Sequence, residues 1–304
     1  MSIDLKHLSR RSVLKAGAAA AATVTLASRP LWAADPVKVG WTTDTEQTIL
    51  GNMAALILEK KLGIPVERVA NLGGTGIAHQ AIIDGAIDIY PDYTGDALAN
   101  VLKQDVITEP MKAWEAVRKG YAEQYQITWL APTPFNNTYA LALKEARAAE
   151  LNMTKISDLA PKAPEWTLGC SVEFAGRPID GYPGMVKHYG FEFGTLKPMD
   201  VGLMYTAIDS DEVDVIVAFA TDARIGKVGL RVLADDKYFF PSYNAAFTVR
   251  DEVLLAHPDI KIALELATET LFTPTQIKLN GRADIDGVPP EQVAEEYLKE
   301  MDLL

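Results

Sequence analysis

Cysteine and basic residues are scarce in this chain. Cys170 is the only cysteine among 304 residues, so an internal disulfide is impossible and a cysteine-based zinc site is not expected. Acidic residues outnumber basic ones by 41 to 29, which gives a formal net charge of −12. Nucleic-acid binding is not expected either, because contacts with phosphate groups need clustered lysine and arginine.

Sequence signatures of catalysis and of cofactor binding are also missing. The four histidines, His7, His79, His188 and His257, are far apart, so no metal site is expected. The glycine-rich segment 73–76 lacks the third glycine of a dinucleotide motif, and no G-x-S-x-G elbow occurs. We therefore expect a protein that holds no metal and no cofactor and that is not an enzyme.

The first 34 residues have the three parts of a bacterial export signal. Arg10 and Arg11 lie in a twin-arginine motif, SRRSVLK, which an alanine-rich run (16–27) and small residues at 33–34 follow. The apolar run is shorter than the roughly 20 residues that a membrane-spanning helix needs. We predict a twin-arginine signal at 1–34 and a periplasmic mature protein. Loss of five basic residues and one acidic residue takes its net charge from −12 to −16.

Beyond the leader, strand-like and helix-like patterns alternate. The predicted strands cover 37–41, 66–70, 87–90, 127–131, 139–143, 167–170, 213–219 and 245–249. The predicted helices cover 46–61, 77–84, 97–103, 111–124, 184–189 and 204–208, and the segment 251–304 is mainly helical. Thr45 is expected to cap the first helix, and Pro91 to end the third strand. This order predicts an α/β fold, and the absence of a flexible linker favours two lobes joined by strands.

Four aromatic residues occupy comparable positions, at or beside the ends of predicted strands. They are Tyr93, Tyr139, Phe219 and Tyr243. Strand ends face the ligand crevice in α/β sheets, so these rings either line one site or belong to the core. A shared cage would suit a quaternary ammonium ion, which has no N–H group to donate and binds π faces instead.

Several short segments, in this order, resemble those of one protein family. They are Thr45-Glu46, Leu72-Gly73-Gly74-Thr75, Asp88-Ile89-Tyr90-Pro91-Asp92-Tyr93-Thr94-Gly95, Asn136-Asn137-Thr138-Tyr139, Glu173-Phe174 with Arg177, Asp180-Gly181-Tyr182, Thr221-Asp222, Asp236-Lys237, Phe240-Pro241 and Leu279-Asn280. Over residues 37–304 the chain is similar to the periplasmic substrate-binding proteins of osmoprotectant ABC importers, which bind glycine betaine, choline or related compounds.

The resemblance implies a two-lobed periplasmic binding protein fold of type II, in which two crossing strands join the lobes. Those strands would lie near 139–143 and 245–249. Lobe I would comprise 35–138 and 244–304, and lobe II 139–243. The implied function is capture of a quaternary ammonium compound between the lobes and its delivery to ABC permease subunits by a monomeric protein. Lobe closure would bring Phe219 and Arg177 against Tyr93 and Tyr243.

The resemblance also implies the residues of the site. The candidates are a cage of Tyr93, Tyr139, Phe219 and Tyr243, together with Arg177, Asp96, Asn137 and Thr43. Arg177 would pair with a ligand carboxylate, unless it forms a surface ion pair. One extra residue between Arg177 and Asp180, relative to the usual spacing, predicts that Arg177 is displaced.

Position 96 departs from the family pattern. A threonine often stands there, and its hydroxyl meets the ligand carboxylate, whereas this chain has Asp96. An ionised Asp96 would repel a carboxylate and favour a cation that lacks one. Two alternatives stay open. Arg177 and Asp96 together could clamp an amino acid or another zwitterion, or the protein could be a periplasmic hydrolase of small amine esters.

Overall fold

Two five-stranded mixed sheets organise residues 35–304, the part of the chain that this computed structural model describes. The export signal predicted at 1–34 lies outside the described residues. The strands are β1 (Val37–Gly40), β2 (Val66–Val69), β3 (Ile89–Tyr93), β4 (Ile127–Trp129), β5 (Tyr139–Lys144), β6 (Thr167–Cys170), β7 (Thr195–Pro198), β8 (Val215–Phe219), β9 (Leu230–Val232) and β10 (Ala245–Arg250).

The two sheets repeat one plan. The first has the order β2-β1-β3-β10-β4 and the second the order β7-β6-β8-β5-β9. In each, three strands run parallel, and the fourth strand of the order is antiparallel to both of its neighbours. The chain passes between the sheets twice, in 130–138 and in 233–244, and β5 and β10 begin directly after these passages.

Thirteen α-helices of the described residues accompany the sheets. They are α1 (Thr45–Leu56), α2 (Thr75–Ile83), α3 (Thr94–Asp96), α4 (Pro110–Tyr125), α5 (Glu145–Glu150), α6 (Val172–Gly176), α7 (Tyr182–Tyr189), α8 (Val201–Asp209), α9 (Arg224–Val228), α10 (Asp251–Ala256), α11 (Asp259–Thr268), α12 (Thr273–Asp284) and α13 (Pro290–Glu300). Single π-helical segments, Ile57–Lys61 and Ala97–Val101, extend α1 and α3, and two 3₁₀ turns cover Ile156–Leu159 and Ala163–Glu165. Within residues 35–304, no helix has both the length and the apolarity that crossing a membrane requires.

Pro91 does not end the third strand as predicted. β3 continues through Pro91 to Tyr93, and Pro91 lies opposite Phe247 of β10. On its other side β3 pairs with β1 only at Ile89, so beyond that residue β1 takes no hydrogen bond that a proline would remove. The strand therefore carries Tyr93 to the edge where the two sheets face each other.

The predicted Thr45 cap is also wrong, by one residue. Asp44 is the N-cap of α1 and has an extended backbone, while Thr45 is the first helical residue. The Thr45 hydroxyl donates instead to Asp284 Oδ1 of α12, 2.6 Å away. The hydroxyl that was expected to cap the helix thus bonds to a residue far away in the chain, which the sequence does not identify.

Two strands, β7 and β9, were not predicted. Both lie at the edges of the second sheet, and most of their side chains are exposed or half-buried. Edge strands carry a weaker alternation of apolar and polar residues than central strands, because only part of their surface is covered. The central run β8, by contrast, is buried over its first four residues and was predicted from its apolar sequence.

Helix α1 is buried along most of its length. The predicted stripe of Ile49, Met53, Leu56 and Ile57 is buried, and so is the opposite face, because α12 and α13 pack on it. Gly51 lies on this helix against the Trp41 ring, where a Cβ atom would come within 2.3 Å of Trp41 Cε3. The close approach of helix and ring thus requires glycine.

We expect Gly51→Ala to destabilise the protein, although alanine normally favours a helix over glycine by about 1 kcal/mol. Displacing the Trp41 ring costs about 1–3 kcal/mol of overpacking, which outweighs that gain. Gly76→Ala in α2 is the matched control, since its Cβ would meet no atom within 4 Å and should leave stability equal or higher. Urea unfolding of both variants tests the pair. A Gly51→Ala variant as stable as Gly76→Ala contradicts this packing.

Asp92 is a buried carboxyl in β3, 1% exposed, on the strand that carries Tyr93. Its Oδ1 accepts from the Tyr93 backbone N–H at 2.8 Å, and its Oδ2 lies 3.3 Å from the Tyr121 hydroxyl. Burial, reinforced by the nearby Asp96 charge, raises the pKa of Asp92 to about 8. Asp92 therefore holds a proton in the folded protein at neutral pH.

The raised pKa makes Asp92 a source of pH-dependent stability. An unfolded aspartate loses its proton near pH 3.9, so between about pH 4 and 8 the folded state binds a proton that the unfolded state has released. We therefore expect the stability of Asp92→Asn relative to the native protein to rise with pH, by up to about 1.4 kcal/mol per pH unit. Denaturant unfolding at pH 5 and pH 8 measures this difference, and a constant difference contradicts a protonated Asp92.

Candidate functional site

A cavity of about 640 Å³ lies between the two sheets, and residues of both line it. All eight candidate residues are on its wall: Thr43, Tyr93, Asp96, Asn137, Tyr139, Arg177, Phe219 and Tyr243. The structure thus brings together residues that are as much as 200 positions apart in the chain. Their role in binding stays a prediction.

Strand register places the rings beside one another. Tyr139 of β5 lies directly opposite Phe219 of β8, and their ring centroids are 5.3 Å apart. The Tyr243 ring stands edge-on to Tyr139 at 5.4 Å, and Tyr93 faces Ala245 across β3 and β10. Antiparallel pairing of each returning strand therefore carries these side chains to one edge of its sheet.

Gly95 makes room for one of the rings. It follows Thr94 in α3, and a Cβ atom here would come within 2.6 Å of Tyr243 Cε1. Thr94 itself donates from Oγ1 to the Ser242 carbonyl at 2.7 Å. The short segment after Tyr93 thus fixes the distance between β3 and the Tyr243 loop.

Each tyrosine hydroxyl of the site is bonded to an ionisable side chain. Tyr93 donates to Glu46 Oε1 and Tyr243 to Asp180 Oδ2, both at 2.7 Å, while Tyr139 accepts from Arg177 Nη1 at 3.1 Å. Burial raises the pKa of all three phenols well above 10, so they stay neutral. These bonds hold the three rings in fixed orientations. Phe219 has no hydroxyl and is held by packing alone.

Glu46, in the first turn of α1, is a buried carboxylate at the centre of the polar contacts. Its Oε1 accepts from Tyr93 and from Asn137 Nδ2 at 2.9 Å. Its Oε2 accepts from Thr221 Oγ1 at 2.6 Å and from Asn280 Nδ2 at 2.9 Å. Burial raises the pKa of Glu46, and the bonds from Thr221, Tyr93 and Asn280 oppose that rise.

No local sequence pattern reveals the role of Glu46. Glu46 was noted only as the opening of the first helix, where an acidic residue usually interacts with the helix dipole at the surface. Its four donors come from β3, from the two loops near Asn137 and Thr221, and from α12. Only the meeting of these segments shows that the side chain is buried.

Arg177 is held by groups of this chain. It forms an ion pair with Asp96, and besides Tyr139 it also contacts Glu173 at 3.0 Å, Asp180 at 3.5 Å and Thr75 at 3.4 Å. The side chain is 11% exposed. The ion pair of Arg177 and Asp96 thus lies in the cavity wall, and pairing of Arg177 with a ligand carboxylate stays a prediction.

Thr43 and Asp44 are exposed at the start of α1 and belong to the rim of the cavity. Asp44 accepts from Thr42 Oγ1 at 2.8 Å, and Thr42 also contacts Gln47 Oε1 at 2.8 Å. These contacts order the turn that carries Thr43. The position of Thr43 allows contact with the outer end of a bound molecule.

Carboxylates dominate the charge of the cavity wall. Its two basic side chains are Arg177 and Arg224, and its seven acidic ones are Asp44, Glu46, Asp96, Glu173, Asp200, Asp222 and Asp284. Within residues 35–304, no group of three or more His, Cys, Asp or Glu side chains could hold a metal ion. Burial raises the pKa of the Cys170 thiol to about 11, so it is protonated at neutral pH. The arrangement suits an organic cation.

Residues 35–300 match the OpuAC family, described as the substrate binding domain of ABC-type glycine betaine transport system. The chain belongs to this family. Residues 7–27 match the twin-arginine translocation signal, so the protein is exported to the periplasm by that route, as predicted. The α/β fold class with two lobes of the periplasmic binding protein type is confirmed as well.

Relatives in the family are binding proteins of transport systems. The chain is 36% identical to the carnitine transport binding protein OpuCC of Listeria monocytogenes, over 87% of this chain and 86% of that protein. It is 38% identical to the glycine-betaine-binding protein of Pseudomonas aeruginosa, over 89% of each. A solved structure titled as a glycine betaine/carnitine/choline ABC transporter superposes with a TM-score of 0.75 at 36% identity, covering 88% of this chain and 99% of that one. These relatives favour the binding-protein interpretation over the hydrolase alternative.

We expect Glu46→Gln to destabilise this substrate-binding domain by about 1–3 kcal/mol, the cost of leaving a buried donor without an acceptor. Glutamine has one oxygen, so its amide group would face the amide of either Asn137 or Asn280. Asn280 cannot rotate to compensate, because its Nδ2 also donates to the Thr221 carbonyl at 3.1 Å. Urea unfolding measures the loss. Asp44→Asn makes the same change from carboxyl to amide at the exposed rim and should change stability by less than about 0.5 kcal/mol. Equal effects in the two variants contradict the Glu46 network.

Proposed function

We propose that the protein captures a quaternary ammonium solute, such as choline, glycine betaine or a related compound, between two lobes. Lobe I would comprise 35–138 and 244–304, and lobe II 139–243. The two sheets support this division, because every strand of one sheet lies in the first set of residues and every strand of the other in the second. The solute would pass to ABC permease subunits from a monomeric binding protein that is not an enzyme.

One observation carries the proposal: four aromatic rings and an excess of carboxylates line a single cavity. A methylated nitrogen has no N–H group, so hydrogen-bond acceptors in a pocket contribute little to its binding. An aromatic face within about 6 Å contributes roughly 0.5–2 kcal/mol. The surrounding carboxylates favour a positive charge over the whole cavity. The aromatic rings and the carboxylates of the wall therefore both favour a quaternary ammonium compound.

Capture would proceed by closure of the lobes around the solute. Several contacts cross the proposed lobe boundary, among them Thr221 with Glu46 and Arg177 with Asp96. Arg224 reaches Asp284 at 3.3 Å. Each of these bonds can form only when the lobes are together, so they would stabilise the closed form once the solute bridges the two sides. The closed surface would then be presented to the permease.

The names of the relatives support the same ligand class. One relative is named for carnitine and another for glycine betaine, and both of these compounds contain a quaternary ammonium group. The excess of acidic residues on the wall agrees with the positive charge of that ammonium group.

We expect mature protein to bind a quaternary amine in titration calorimetry. Phe219→Leu keeps an apolar side chain of similar bulk but removes the ring, and it should weaken binding by about 0.5–2 kcal/mol, roughly two- to thirtyfold. Phe219→Tyr is the matched control and should retain the affinity, because it retains the π face. Phe219 suits this test, since it bears no hydroxyl of the polar network.

Two results would contradict the proposal. The first is the absence of any heat with choline, glycine betaine and carnitine at millimolar concentration. The second is a Phe219→Leu variant that binds as tightly as Phe219→Tyr, because the ring would then contribute nothing beyond its bulk. Circular dichroism of both variants controls for folding.

A further inference from the structure

A second cavity, of about 290 Å³, lies where the chain passes between the two sheets, and we call it the rear cavity. Its lining residues include Thr108, Asn136, Thr138, Ile156, Val232 and Pro241. Both passages, 130–138 and 233–244, thus contribute to its wall, and so do other segments of each proposed lobe. The proposed capture of a solute in the large cavity assigns no role to this second space.

The rear cavity and the large cavity lie on opposite sides of the first passage. Asn137 lines the large cavity, whereas its neighbours Asn136 and Thr138 line the rear cavity. Such alternation is that of an extended segment, in which successive side chains point to opposite sides. The second passage divides in the same way, because Tyr243 lines the large cavity and Pro241 the rear one. The two passages therefore form a partition, with the candidate site in front and the rear cavity behind.

Hydrogen bonds join the two passages into one hinge. The Asn137 N–H donates to the Tyr243 carbonyl at 3.0 Å, and the Tyr243 N–H donates to Asn136 Oδ1 at 2.8 Å. Thr138 Oγ1 donates to the Pro241 carbonyl at 3.5 Å. Because residues 35–304 pass between the sheets through these two segments, a rotation of one lobe against the other bends the chain here.

The second passage is attached to a different lobe on each side of Pro241. The Phe240 N–H donates to Asp235 Oδ2 at 2.8 Å, within proposed lobe II. The Ser242 N–H donates to the Ile107 carbonyl of proposed lobe I at 3.3 Å. The chain therefore bends between the lobes at Pro241, close to the proposed boundary at 243. Since Pro241 lines the rear cavity, this bend lies in the wall of that cavity.

The walls of the rear cavity come from both lobes. Thr108 directly follows Ile107 and belongs to proposed lobe I, while Ile156 and Val232 belong to proposed lobe II. Ile156 is fixed to the start of the second passage, since its N–H donates to the Ala234 carbonyl at 2.9 Å. Two rigid bodies that turn about a partition approach each other behind it when they separate in front. Opening of the large cavity therefore narrows the rear cavity.

We propose that the rear cavity sets the balance between the open and the closed form of the protein. Its walls come together as the lobes open, so bulk placed between them opposes opening and favours the closed form. The apparent affinity of a site depends on the fraction of the protein in the form that binds, so this bulk tightens binding without touching the site. The inference rests on the proposed function, because it takes closure of the lobes as the means of capture.

Two tryptophan substitutions, one in each lobe, add bulk to the rear cavity. Val232→Trp places a ring on the edge strand β9, and Thr108→Trp places one on the wall of proposed lobe I. Both residues are exposed and neither lines the large cavity, so the aromatic cage is left unchanged. Titration calorimetry should give at least threefold tighter binding of choline or glycine betaine in each variant. Small-angle X-ray scattering should give ligand-free variants a smaller radius of gyration than the ligand-free native protein.

Thr195→Trp is the matched control. Thr195 is exposed on β7, at the other edge of the same sheet, and lines neither cavity. This variant should bind with native affinity and scatter like the native protein. A gain in affinity as large as that of the two rear-cavity variants would show an effect of tryptophan in general and overturn the proposal.

The outcomes separate the two proposals. If the native protein binds a quaternary amine and the folded rear-cavity variants bind it no more tightly, the role of the rear cavity is overturned and the proposed function stands. If no quaternary amine binds, the proposed function fails, and the scattering of the ligand-free variants still decides whether bulk in the rear cavity closes the lobes. A thermal melt identifies a variant that does not fold, and the variant in the other lobe then decides the matter.

Discussion

The burial of the Glu46 carboxylate is the constraint on which the rest of the site depends. A carboxylate removed from water needs hydrogen-bond donors on both oxygens, or its burial costs several kcal/mol. Glu46 obtains four donors, from Tyr93, Asn137, Thr221 and Asn280. These donors stand on segments that only the complete fold brings together. The same bonds that satisfy the charge therefore also orient a ring of the site and join residues associated with different sheets.

Charge and aromatic surface have separate tasks in this cavity. The rings of Tyr93, Tyr139, Phe219 and Tyr243 offer π faces, and their hydroxyls, where present, are bonded to ionisable side chains. The carboxylates outnumber the guanidinium groups, and the guanidinium groups are already paired. Membership of the family makes the protein a substrate-binding domain, whereas the distribution of these charges bears on which member of the ligand class it takes.

Much of the fold could be predicted because strong local sequence patterns indicate its helices and strands. The apolar run of β8 and the stripe of Ile49 and Met53 on α1 each result from the burial of a single strand or helix. Such burial is visible as a pattern of apolar residues within a short segment of sequence. The edge strands β7 and β9 carry no such pattern, since all of their residues are exposed or half-buried. The prediction at Pro91 was wrong because a proline ends a strand only where a neighbouring strand would accept a hydrogen bond from the backbone N–H at that position. Strand β1 pairs with β3 only at Ile89, before Pro91.

The sequence by itself determined the export route, the family, the alternation of strands and helices, and the residue types of the site, because each is written in short motifs or local periodicity. The tertiary structure alone decided which charges meet. Arg177 could be assigned to a ligand or to the surface from its sequence context, yet in the fold it contacts Asp96, which lies 81 positions earlier. Glu46 and Asn280 are 234 positions apart and share a hydrogen bond. Contacts at such separations arise from sheet pairing and helix packing over the whole chain, and no local pattern encodes them.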